Sequence, residues 1–184
     1  MAATPSNMIP LGTIAPDFAL PDAISGETLA LDDLASEKAT VIMFICNHCP
    51  FVIHVLDEIV QLAADYQEKE VSVVAISSND VNNYPQDGPD KMAALAQARG
   101  FSFPYLYDES QEVAKAYAAA CTPDFYVFDR EKACRYRGQL DSARPGNGEP
   151  VNGADLRTAL DAVLNGQAVP EPQRPSIGCN IKWK

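Results

Sequence analysis

Apolar and polar positions along the chain follow two rhythms. Residues 39–45, ending in Val41-Ile-Met-Phe-Ile45, and the later run Val71-Ser-Val-Val-Ala-Ile76 are almost continuously apolar. Such runs read as strands buried on both faces of a sheet. Between them Val52, Val55, Leu56, Ile59, Val60, Ala63 and Tyr66 recur every three or four residues. That spacing puts them on one face of a helix from Cys49 to about Glu68. Upstream, residues 14–34 read as two short strands around a turn at Ser25-Gly26, then a brief helix at Asp32-Asp-Leu34. Downstream, residues 77–90, rich in Asn, Asp, Pro and Gly, form a loop, and Pro89–Arg99 is a helix stopped by Gly100. The spacing then predicts a strand over Pro104–Tyr107 and a helix capped by Asp108 or Ser110 and running to about Ala119. A hairpin of Pro123–Phe128 with Ala133–Gln139, a loop from Asp141 to Gly153, a helix over Ala154–Leu164 and a Pro-rich tail, 166–184, complete the chain. No segment repeats. This order implies an α/β fold, a central mixed sheet with helices on both faces and an N-terminal β extension.

The 184 residues suit one domain, and 47% apolar content suffices for a core. A net charge of −11 argues against nucleic acid, which needs a basic patch. No apolar run approaches the roughly 20 residues of a membrane helix. Met1–Pro10 has neither the basic residue nor the apolar core of a secretory signal. A cytoplasmic protein, without membrane or nucleic-acid partners, is therefore expected, and a monomer or homodimer fits its size. The five cysteines are an odd count, which disfavours a fixed disulfide framework. In the cytoplasm a C-x-x-C is more often catalytic or metal-binding than structural.

The candidate chemistry lies where the first apolar run stops, at Cys46-Asn47-His48-Cys49-Pro50. Proline suits the first turn of a helix, where its missing N–H is not needed. Both thiols thus fall where a strand ends and a helix begins, near unpaired N–H groups and the positive end of the helix dipole. That environment favours the thiolate, the reactive form of cysteine. His48 can add positive charge or a hydrogen bond. Thiol–disulfide redox chemistry at Cys46 and Cys49 is the expected function.

Three anchors carry a family resemblance over about residues 12–165: Ala15-Pro-Asp-Phe18 with Leu31-Asp-Asp-Leu34, Phe44-Ile-Cys46-Asn-His-Cys49-Pro50, and Cys121-Thr122-Pro123-Asp124 before an apolar strand. In this order they resemble the thioredoxin-like superfamily, and within it the small peroxiredoxin-like (redoxin) group that keeps a C-x-x-C. The resemblance implies one thioredoxin-like domain over 1–184, its core at about 12–165, and no cofactor. It implies that Cys46 is the exposed nucleophile and Cys49 the more buried resolving thiol. Pro123 is expected in the cis form against the two sulfurs. It would leave the Thr122 backbone free to pair with an extended substrate. The implied partners are protein disulfides or dithiols, or small disulfides, with a thioredoxin or glutathione system as electron donor. The peroxiredoxin frame Pro-x-x-x-Thr-x-x-Cys, counted back from Cys49, meets Cys46 at the Thr position and Ile42 at the Pro position. The residues that position peroxide are therefore missing from that frame.

Other readings remain beside this one. A structural zinc needs about four ligands, and there is no second C-x-x-C; Cu(I) suits thiolates, yet no third ligand is evident. No metal is expected, although a thiol peroxidase and a metal-binding or redox-sensing module stay as alternatives. His54 reads as a helix-surface residue. Cys121 is either a further redox thiol or a small packed side chain, and Cys134 reads as structural. Cys179, in the tail, is either an anchor beside Ile181 and Trp183 or an additional resolving thiol. The loops 79–90 and 141–152 could flank the site.

Overall fold

The computed structural model describes residues 3–184. In chain order the elements are β1 (Ala3–Pro5), β2 (Ala19–Pro21), β3 (Thr28–Ala30), α1 (Leu31–Leu34), β4 (Ala39–Phe44), α2 (Pro50–Gln67), β5 (Val71–Ser77), α3 (Pro89–Arg99), β6 (Tyr105–Tyr107), α4 (Glu112–Ala116), β7 (Cys121–Thr122), β8 (Asp124–Asp129), β9 (Cys134–Gly138), α5 (Ala154–Leu164) and β10 (Ile177–Asn180).

Five strands form the central sheet in the order β6-β5-β4-β8-β9. β4 lies at its centre, parallel to β5, with Ile42 opposite Val74, and antiparallel to β8, with Ile42 opposite Tyr126. All six of its residues are buried, which explains a run apolar at every position rather than at every second one. The two faces feed two cores. Val41, Met43 and Ile45 pack with α2 and α5 residues such as Leu56, Ile59 and Leu160, whereas Ile42 and Phe44 pack with Tyr117, Tyr126 and Phe128. The buried residues of α2 are those of its predicted face, except that Leu62 is added and Val60 is only half-buried. The thioredoxin-like mixed sheet is thus in place.

Two departures matter. The helix expected to reach Ala119 stops at Ala116, because Ala118 turns to φ 52°; the residue at its cap position is Gln111 rather than Asp108 or Ser110, although the Asp108 carboxylate accepts the Ala114 N–H at 2.9 Å. The second departure lies at the ends of the chain. The tail is not a plain appendage: β10 runs between β1 and β7, antiparallel to both, and makes a separate three-stranded sheet. No helix among the described residues is long and apolar enough to cross a membrane.

Candidate active site

Cys49 is the residue immediately before α2. Pro50 is the first residue of the helix, and the Val52 and Ile53 N–H groups both donate to the Cys49 carbonyl at 3.0 Å. Cys46 follows the end of β4, so the strand and helix clamp the C-x-x-C loop from both sides. Facing it is the Thr122–Pro123 bond, which is cis. The Thr122 hydroxyl lies 3.5 Å from Cys46 Sγ and the Thr122 carbonyl 3.2 Å from Cys49 Sγ. Cys46, Cys49, Thr122 and Pro123 are therefore brought together as expected.

A third sulfur joins them. Cys179 Sγ is 2.8 Å from Cys49 Sγ. β10 carries it there, with Cys179 paired to Thr122 and Asn180 to Cys121. Two expectations need correction here. The Thr122 edge is not open to an extended substrate, because β10 already fills it. Nor is Cys46 exposed: Cys46, Cys49 and Cys179 are 1%, 0% and 2% exposed, since the tail strand lies across the sulfurs. The crevice beside Pro123, lined by Phe51, Ser176 and Ile177 among others, has a volume of only about 10 Å³. A surface cavity of about 580 Å³, lined by Glu37, Asp129, Arg135 and Val169 among others, contains none of the cysteines.

All five cysteines are free thiols, and three of them share hydrogen bonds. The bond from Cys46 draws the Cys49 thiol down to about 5; the Cys179 thiol and the Val52 and Cys179 N–H groups act the same way, and burial opposes them. The bond to Cys49 holds Cys46 well above the ordinary thiol range, with burial and the Asp87 charge adding to it. Burial and the bond to Cys49 push Cys179 up to about 12. Of the three thiols Cys49 is the one drawn toward the anion, and it sits at the head of an 18-residue helix, whose positive end favours that form. The resemblance implies Cys46 as the attacking thiol, whereas these hydrogen bonds favour the anion at Cys49.

Beneath the loop lies a group that sequence reasoning missed. Asp87, at the end of a short 3₁₀ turn over Pro85–Asp87, is fully buried. It accepts the Asn47 N–H at 2.8 Å, the Asn79 side-chain amide at 2.9 Å and His48 Nδ1 at 2.5 Å. His48, half-buried, also stacks on Tyr84 with ring centroids 5.5 Å apart. Asn47 donates to the Gln86 carbonyl and accepts from the Tyr105 hydroxyl at 3.0 Å. The two residues between the cysteines therefore fix the loop to the 79–87 segment. Cys46, His48 and Asp87 bring ligand atoms within 4.8 Å of one another, but His48 and Asp87 already satisfy each other.

The remaining candidates separate cleanly. His54 is exposed on α2. Cys121 sits beside Thr122, but its thiol faces the Pro123 carbonyl at 3.7 Å and burial pushes its pKa upward. Cys134 is buried in the hairpin and pushed up to about 11, chiefly by burial. The sequence signal that could have found Asp87 was its place in the 79–90 loop, which was singled out as a flank of the site.

Known proteins share the fold or part of the sequence to different degrees. The crystal structure of an uncharacterized conserved protein from Geobacillus kaustophilus superposes with a TM-score of 0.99 at 62% identity, covering 100% of this chain and 97% of that one. A peroxidoxin from Mycobacterium tuberculosis shares the fold, with a TM-score of 0.63 at 23% identity over 85% of this chain and 96% of that one. A protein of the same species named "Putative peroxiredoxin" is 30% identical over 108 residues, 59% of this chain, and the match spans 63% of that protein's length. A free-thiol site at the strand-to-helix junction of a thioredoxin-like fold is what a redoxin needs, and the family model described as AhpC/TSA matches residues 11–137: the chain belongs to the AhpC/TSA family.

Proposed function

We propose that the protein is a thiol–disulfide oxidoreductase whose redox pair is Cys46 and Cys49. The observation that carries this reading is the position of Cys49: at the head of α2 and 3.2 Å from the Thr122 carbonyl, with Cys46, three residues earlier, 3.5 Å from the Thr122 hydroxyl. Cys49 attacks a disulfide sulfur; a mixed disulfide forms and the first thiol of the substrate leaves. Cys46 then attacks Cys49, releases the second thiol and closes the Cys46–Cys49 disulfide. A thioredoxin or glutathione system returns the pair to the dithiol. With the Thr122 edge filled by β10, small disulfides suit this site better than extended protein segments.

Reduction of a model disulfide by the wild-type chain, with thioredoxin or glutathione supplying electrons, is the direct test. Activity that disappears in Cys49→Ser supports the reading; a wild-type chain inert with both donors sinks it.

A thiol peroxidase is the second reading, favoured by the stabilised Cys49 thiolate and the closed substrate edge, since peroxide needs no backbone groove. Against it stand Cys46 and Ile42 at the Thr and Pro positions of the peroxiredoxin frame. Sulfenic acid at Cys49 forming at micromolar peroxide separates the two readings. A rate no better than that of free cysteine removes the peroxidase.

A further inference from the structure

We propose that Cys179 is a third exchanging thiol of this site, presented to Cys49 by a strand of the chain's own tail that occupies the place of an extended substrate. The proposal rests on the reading of Cys46 and Cys49 as the redox pair and extends it.

Three independent features carry it. The first is proximity: Cys49 Sγ has Cys179 Sγ at 2.8 Å, and Cys46 and Cys49 both reach Thr122, at 3.5 and 3.2 Å, so Cys49 can pair with either thiol. The second is direction. β10 lies antiparallel to Thr122, with Cys179 in register with it, as an extended peptide adds itself to a sheet edge. The third is that the fit is built. A Cβ on Gly178 would stand 1.9 Å from the Thr122 carbonyl oxygen, so a glycine at this position lets the strand reach the sulfurs. Polar groups pin the strand at both ends. Ser176 donates its hydroxyl to the Pro123 carbonyl, and Ser6 and Ser176 exchange hydrogen bonds at 2.9 Å. Beyond the strand, the Lys182 N–H donates to Asn79 Oδ1 at 2.9 Å, while its carbonyl accepts from the Asp80 N–H and the Gln111 amide, both at 2.8 Å. Asn79 also donates to Asp87, so one side chain joins the tail to the C-x-x-C loop.

The step is a disulfide migration. Starting from the Cys46–Cys49 disulfide, Cys179 Sγ attacks Cys49 Sγ. The Cys49–Cys179 bond forms as the Cys46–Cys49 bond breaks, and Cys46 leaves with the electron pair. The proton released by Cys179 ends on Cys46, beside the Thr122 hydroxyl. One disulfide and one thiol are present before and after, so no outside oxidant or reductant is consumed. The product keeps its oxidising equivalent between Cys49 and the tail and leaves Cys46 as a thiol.

The experiment uses the full chain with Cys46→Ser, treated with excess oxidised glutathione, alkylated and mapped by mass spectrometry. The expected result is a Cys49–Cys179 disulfide, two free thiols fewer than in the reduced variant, and no glutathione on Cys49. The double variant Cys46→Ser/Cys179→Ser should instead retain glutathione on Cys49. Cys49 left free or glutathionylated in the single variant, with Cys179 still alkylatable, overturns the proposal. The wild-type chain provides a measurement free of any folding defect: titrated with oxidised glutathione, it should yield Cys49–Cys179 alongside Cys46–Cys49, and absence of the former at every ratio overturns the proposal equally. Should the wild-type chain form only Cys49–Cys179, the migration as written also fails, because its starting disulfide is missing. A wild-type chain that forms Cys46–Cys49 alone leaves the redox-pair reading intact and removes this one.

Discussion

Gly178 packs directly on the Thr122 carbonyl, at a separation where a Cβ would stand 1.9 Å from the oxygen. Backbone meets backbone there, so no side chain can rotate away to make room.

Gly178→Ala should therefore force β10 off β7. Overpacking costs about 1–3 kcal/mol, and a main-chain obstacle belongs at the upper end of that range. Urea unfolding should show this loss. The rate at which a disulfide dye modifies Cys49 should rise as the strand lifts. A variant with unchanged stability and unchanged thiol reactivity would mean that β10 does not cover the sulfurs.

Much of this architecture was legible in the sequence because it is written in local periods. The apolar run of β4, the helical face from Val52 to Tyr66, the Pro50 start and the Gly100 stop each depend on residues a few positions apart. The tail was not legible for the opposite reason. Ile177-Gly-Cys-Asn180 is four residues long and follows a Pro-rich stretch; it becomes a strand only by pairing with Ala3–Pro5 and Cys121–Thr122. Asp87 was hidden in a similar way. An acidic residue in a loop reads as solvated, and its burial shows only once Asn47, His48 and Asn79 converge on it.

The Cys49 thiolate gives a pH signature. Free cysteine titrates near 8.5, whereas Cys49 is drawn down to about 5. Alkylation of the reduced chain by iodoacetamide should accordingly rise around pH 5 and stay level through neutrality. Cys49→Ser should abolish that component, leaving only slow reaction at alkaline pH. A midpoint of about 8 or higher in the wild-type chain would return the thiolate to the ordinary range and undo the assignment of Cys49 as nucleophile.

Asp87 is buried, and its charge adds to the hydrogen bond with Cys49 and to burial in raising the Cys46 thiol. Asp87→Asn keeps the shape and removes the charge. The Cys46 thiol should then ionise more readily, the dithiol should be favoured, and the Cys46–Cys49 potential should become less negative. Equilibration with glutathione reads this as a larger reduced fraction at a fixed ratio. Because an amide cannot accept all three hydrogen bonds that the carboxylate accepts, stability should also fall by about 1–3 kcal/mol. A more negative potential would contradict the charge argument, whatever the stability.

Asp124, the residue after Pro123, is raised to about 7 by burial, even though the Ser6 and Tyr126 hydroxyls donate to its carboxylate at 2.7 and 3.2 Å. In the unfolded chain an aspartate titrates near 3.9. Between these values the folded state keeps a proton that the unfolded state has released. The contribution of Asp124 is therefore complete below about pH 4 and is lost as pH rises through about 7. This one group should lower stability with a slope of at most about 1.4 kcal/mol per pH unit across that window. Asp124→Asn removes the titration, so the difference between wild type and variant, followed by urea unfolding from pH 4 to pH 8, should change steadily in the variant's favour and level off above about pH 7. A difference that is flat across the window would show that the native carboxyl ionises at its ordinary pH, with the Ser6 and Tyr126 hydroxyls offsetting its burial.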